Sequence, residues 1–248
     1  MILKKCRAET LLIFLNVLLT IFFELNSIKN FQSYELSYSV ADGLVSCLNV
    51  RIIGMCGILS AIVAEIVIFK NDFKINYAIR NKSRQRIFLK QILRLFWFSF
   101  FSTLAVYAAT ILLYLFYSNV LIDWSYGSSV FYATIKHVSH ADFLLVLVMT
   151  VFCYFVVLFS LLSVFLMLRW IFKNYLLGFL IFLMMIAYDS IVIEKDRLVF
   201  SATKLVSYYS SWNKPFMMMA EWLFLMTVLM MGVFFFSKSR FVNRGELC

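Results

Sequence analysis

The sequence predicts an all-α integral membrane protein, and three observations carry that prediction. Hydrophobic residues make up 63% of the 248 and charged residues only 15%, with a mean hydropathy of +0.90. A soluble domain holds about a quarter charged residues, and an apolar excess this large cannot be enclosed within one globule of this length. The apolar residues also come in long unbroken runs, such as 155–167, whereas the strands of a membrane barrel would alternate. Finally, a single proline, Pro215, and 7 glycines leave long helices uninterrupted.

A helix needs about 20 apolar residues to cross the hydrocarbon core, and six runs meet that length. The first, 11–28, follows Lys4, Lys5 and Arg7 as a signal peptide would. No small-residue cleavage site follows it, and Glu24-Leu25-Asn26 continues a helix, so it reads as a retained span. The second, 52–69, carries Gly57, Ala61 and Ala64 on one face, which allows close helix packing. The third covers 95–117. The fourth, 143–168, and the fifth, 175–193, are joined by the short turn 169–174 and form an antiparallel pair. The sixth, 216–236, follows a polar segment, 194–215. Residues 29–51 and 118–142 read as Ser- and Tyr-rich loops. No internal repeat or soluble domain interrupts this plan, so residues 1–248 form one membrane domain.

Orientation follows the basic residues of short loops. With the N-terminus inside, 16 of the 23 Lys and Arg residues face the cytoplasm and 7 face out. Six spans then return the C-terminus to the cytoplasm. The net charge of +10 is thus a topology signal directed at anionic lipid, and no nucleic-acid partner is expected.

Few residues carry recognisable chemistry. The acidic residues Glu24, Glu65, Asp189 and Glu221 lie within or beside spans; Glu24 and Glu65 are the candidate intramembrane polar sites. Each also lies within a turn or two of an interface, where a carboxylate reaches headgroups or water. Asn16, nearer the middle of its span, is expected to bond a neighbouring helix. His137 and His140 are three apart in a polar loop, which falls short of a metal site even with Asp123 or Asp142 nearby. The five cysteines are scattered, no phosphate-binding glycine loop is present, and no catalytic residue or metal site is predicted.

The segment 70–94 between the second and third spans is the most distinctive. It holds Phe73 and Tyr77, and Ile75 and Ile79, at four-residue spacing, then Arg86, Lys90 and Arg94 on one face with Phe88, Ile92 and Leu95 on another. Two short amphipathic helices satisfy that pattern, either lying at the inner headgroups or offering a helix to a cytoplasmic protein. The run Tyr77-Ala-Ile-Arg80-Asn-Lys-Ser-Arg84-Gln-Arg86, followed by a basic helix, resembles the type-2 family of ATP-binding-cassette (ABC) transporter permeases. Within that family it resembles the small six-span permeases associated with bacteriocins and lantibiotics. The resemblance implies that Arg80 and Arg84 mark a cytoplasmic coupling segment, with Tyr77, Ile79, Arg86 and Phe88 beside them. It further implies a non-catalytic exporter subunit for a hydrophobic peptide or lipid-like cargo, with no cofactor of its own. ATP would be bound by cytoplasmic ABC ATPase subunits, and a second permease copy or homologous permease would complete the pathway in the cell membrane. Three other classes compete: a stand-alone immunity or scaffold protein, an ion-coupled transporter working through Glu24 or Glu65, and an intramembrane protease using His137 or His140.

Overall fold

The computed structural model describes residues 2–65, 69, 84–136, 138–172 and 175–191, with a few positions between 228 and 238; side chains are described from Thr10 onward. Seven helices follow one another among these residues: α1 (Ile2–Ser33), α2 (Val40–Ser46), α3 (Val50–Val63), α4 (Arg84–Ser118), α5 (Val130–Ile135), α6 (Phe143–Ile171) and α7 (Tyr175–Ile191). They contain no β-strand, only an isolated bridge between Ser37 and Ser129. The described residues are therefore all-α, as expected.

Three segments, Thr10–Ser33, Gln85–Ser118 and Phe143–Ile171, are long and apolar enough to cross a membrane. The pair α2 and α3, bent by 58° at their junction, makes a fourth if taken as one broken span. Helix α7 is apolar but has only 17 residues. The predicted sixth span, 216–236, falls largely outside the described residues.

Helix ends have local causes. Glu35 and Asn119 adopt left-handed backbone angles, φ 53° and 52°, just beyond α1 and α4, a conformation that stops a helix and that Asn tolerates better than most residues. The Asn49 side chain accepts the Arg51 N–H at 3.0 Å and starts α3. Asp42 accepts both the N–H (2.9 Å) and the hydroxyl (2.7 Å) of Ser39 and so starts α2. This helix corrects the reading of 29–51 as a loop: Val40, Ala41, Leu44 and Val45 are buried, and α1 runs five residues past its predicted end.

Helices α1, α3, α6 and α4 form a ring in which each packs on the next. Helix α2 lies against α4 and α6, and α7 against α3 and α6. The small-residue face on α3 is used in that packing. A Cβ on Gly57 would sit 3.0 Å from Leu161 Cδ1 of α6, and Ala61 and Ala64 are fully buried. Between the neighbouring helices α4 and α6, Phe96 meets Phe155 and Phe159 edge-on, with centroids 5.3 and 5.7 Å away.

The bundle has two distinct ends. At one, the chain after α1 is laced to the chain after α4: Val40 and Ala41 donate N–H bonds to Val120 and Leu121, while Ser37 and Val130 bond Ser128 and Ser37. The other end, where α3 and α6 finish and α4 starts, carries Arg86, Lys90, Arg94 and Arg169. We call these the loop end and the basic end.

Candidate functional site

Polar side chains inside the ring form a column running from one end towards the other. Asn16, Thr20 and Glu24 recur every fourth residue along α1, so they share one face, and all three are buried. On α4, Ser102 and Tyr114 meet this face at Asn16 and Glu24, and Ser99, Thr103 and Thr110 are buried as well. Buried polar groups are costly unless hydrogen-bonded, and most of these are. Asn16 donates through Nδ2 to Ser60 (2.9 Å) on α3 and Ser102 (3.1 Å) on α4, joining three helices as expected for a mid-span amide. Thr20, Thr103 and Thr110 return their hydroxyls to carbonyls four residues back. Tyr107 bonds the carbonyls of Leu44 on α2 and Thr150 on α6.

Glu24 is the most unusual member of the column. Its carboxylate is fully buried. It accepts the Ser46 hydroxyl, 2.6 Å from both oxygens, the Tyr114 hydroxyl at 2.8 Å and the Cys47 thiol at 3.6 Å. These partners are all neutral and come from α2, its C-cap and α4. Such a carboxylate in a low-dielectric interior can hold a proton, or accept a small cation in place of one. The sequence placed Glu24 near an interface; the missing element was α2, which covers it with Ser46 and Cys47.

Glu65 sits at the basic end and is paired. Arg169 Nε lies 2.9 Å from Glu65 Oε1, and both side chains are mostly buried. The next residue, Trp170, donates through Nε1 to Gln91 Oε1 at 2.9 Å, and its indole packs edge-on against Phe88 at 5.9 Å. These contacts fasten the ends of α3 and α6 to the start of α4.

The remaining predicted residues divide as follows. Phe88 is buried and Arg86 is exposed on the first turns of α4. Arg84 begins that helix, and its side chain lies outside the described residues, as do Tyr77, Ile79 and Arg80. His140 is exposed; His137 and Glu221 are outside the described residues, and so is the side chain of Asp189.

An apolar cavity of about 650 Å³ lies between α4 and α6. Phe96, Phe100, Leu104, Tyr107, Val151 and Phe155 line it, and because Phe100 and Leu104 are exposed it opens sideways from the bundle. Compared with known protein families, curated proteins and solved structures, the chain matches none.

Proposed function

We propose that this chain is the membrane-spanning permease subunit of an ABC exporter, driven by separate cytoplasmic ATPase subunits and moving a hydrophobic peptide or lipid-like cargo. The observation that carries the proposal is the fastening at the basic end. Residues 66–83 follow α3 and precede α4 in the chain, and the ends that flank them are held by the Glu65–Arg169 pair and the Phe88–Trp170–Gln91 cluster. A partner that pushes on this basic segment acts on the ends of α3, α4 and α6 together, as a power stroke requires. In this reading the basic end is cytoplasmic, and the sideways-open cavity between α4 and α6 admits an apolar cargo from the bilayer. The test is affinity purification of tagged protein from its native membrane in mild detergent, followed by mass spectrometry and an ATPase assay. Wild type is expected to retain a cytoplasmic ATPase, and a variant with Arg80→Glu and Arg84→Glu to lose it or its stimulation. Absence of any ATPase across several detergents overturns the proposal.

The geometry of Glu24 favours a second reading, an ion-coupled transporter. A buried carboxylate held by neutral donors can be loaded and unloaded by a proton or small cation during a transport cycle. Glu24→Gln decides between the two, because the amide keeps the size and an acceptor while losing the charge. In the permease reading, ATP-driven transport survives this change to within a few-fold. In the ion-coupled reading, transport driven by an imposed proton or sodium gradient is abolished although the protein remains folded.

A further inference from the structure

At the loop end two carboxylates are buried on segments whose backbones are bonded to each other. Asp42, in the first turn of α2, is fully buried and firmly oriented: Oδ2 accepts the Ser39 N–H and hydroxyl, and Oδ1 accepts Trp124 Nε1 at 2.9 Å. Asp123 precedes Trp124 and is 4% exposed. Both of its carboxylate oxygens are buried without a hydrogen-bond partner among the described residues. Trp124, the residue after Asp123, is the one that donates to Asp42, and no described basic side chain forms an ion pair with either carboxylate. The backbone bonds from Val40 and Ala41 to Val120 and Leu121, with Trp124 stacked on Phe131 at 4.5 Å, hold the two residues where they are.

Two like charges withdrawn from water cost several kcal/mol per ion unless something compensates them. Asp42 has partners that partly do so, whereas Asp123 has two oxygens still to be satisfied. The geometry points to a binding site for a hard divalent cation of the calcium type, formed by Asp42 and Asp123 at the junction of the two loops. All the available ligands are oxygens, which suits such a cation over the softer transition metals. Its charge cancels the pair, and calcium tolerates the irregular coordination that a loop junction offers. The described residues hold no group of three or more acidic, His or Cys side chains, so carbonyls and water fill the other positions. That places the affinity in the weak range, roughly 10⁻⁴–10⁻³ M. A bound cation ties the segment after α1 to the segment after α4, so its effect is mechanical. The site does not depend on the permease reading.

The test uses the full chain in detergent, stripped with a chelator and then titrated with calcium chloride, magnesium serving as the control. Calcium is expected to raise the melting midpoint by ~5 °C. Terbium, a luminescent substitute for calcium, is expected to show emission sensitised by Trp124 that calcium competes away and Trp124→Phe removes. Asp123→Asn is expected to abolish both responses, and in chelator to melt above wild type because the repulsion is gone. This variant leaves the Ser39–Asp42 cap intact, so misfolding is not the explanation of a negative result. No calcium response in folded wild type, or a response that survives Asp123→Asn, overturns the site. A midpoint indifferent to calcium that moves with pH through neutrality also overturns it, and identifies a proton shared by the pair instead.

Discussion

Gly43→Ala destabilises the protein by ~3 kcal/mol in reversible unfolding from mixed micelles. The added Cβ would fall onto the ring of Tyr114, with Cζ 2.8 Å away and two other ring atoms closer. Neither side can move aside cheaply. The Tyr114 hydroxyl is bonded to Glu24, its ring edge packs on Tyr38 at 6.2 Å, and α2 is pinned to residues 120 and 121 through backbone bonds. Relief of the clash by ring displacement would strip a donor from the buried carboxylate, so the cost combines overpacking with a lost charged hydrogen bond. Tyr114→Leu is itself costly because it removes the donor to Glu24, but Gly43→Ala should cost less in its background, giving a coupling of about 1 kcal/mol or more in a double-mutant cycle. A single-variant effect below about 0.5 kcal/mol would mean that the ring does not lie against Gly43.

Removing one partner of the Glu65–Arg169 pair has an effect of similar size. Arg169→Met should cost ~3 kcal/mol, because it leaves Glu65 mostly buried and uncompensated. Oε2 of Glu65 already lacks a hydrogen-bond partner among the described residues, so Arg169 is the group that stabilises this carboxylate. The full cost of an isolated buried charge is not expected, since about a fifth of each side chain still reaches solvent. Glu65→Leu combined with Arg169→Met should recover most of the stability, as two apolar groups satisfy each other where one stranded charge cannot. The same cycle has a functional readout: the double variant is stable but lacks the directional link between α3 and α6. Were Arg169→Met and the double variant equally destabilised, packing of the arginine stem would account for the effect and the ion pair would not.

The long helices were legible because their signal is local. Unbroken apolar runs of membrane length require no knowledge of neighbours, and α1, α4 and α6 lie close to where those runs fall. Helix α2 was not legible for the opposite reason. It has only seven residues amid serines and tyrosines, and its burial against α4 and α6 is a tertiary fact. A local signal was nevertheless present in Ser39-Val-Ala-Asp42, the spacing of a capping box, with Gly43 directly after it. The column was readable in a similar way, since Asn16, Thr20 and Glu24 share one helical face; taken singly, Glu24 looked like an interface residue. The partner of Glu65 could not be read, because Arg169 lies 104 residues away and nothing local joins them. Asp123 was weighed only beside the loop histidines, because nothing local shows that its loop joins the segment of Asp42. The predicted coupling residues Tyr77, Ile79 and Arg80 lie outside the described residues, and so does most of the sixth apolar run.

Helix α4 has 35 residues without a break, which makes a rod about 52 Å long for a hydrocarbon layer of about 30 Å. Its apolar stretch alone, 95–117, measures about 35 Å, so the rod leans until its greasy length matches the lipid around it. Arg94, Lys90 and Arg86 extend beyond that stretch as a stiff handle. In a bilayer, thinner lipid favours more tilt of such a rod and thicker lipid less, and its first turns, held to Trp170 through Phe88 and Gln91, carry the end of α6 with them. Because α4 packs against α1, α2 and α6, a change of tilt reaches most of the bundle. The lipid is then a mechanical input to the protein as well as its solvent.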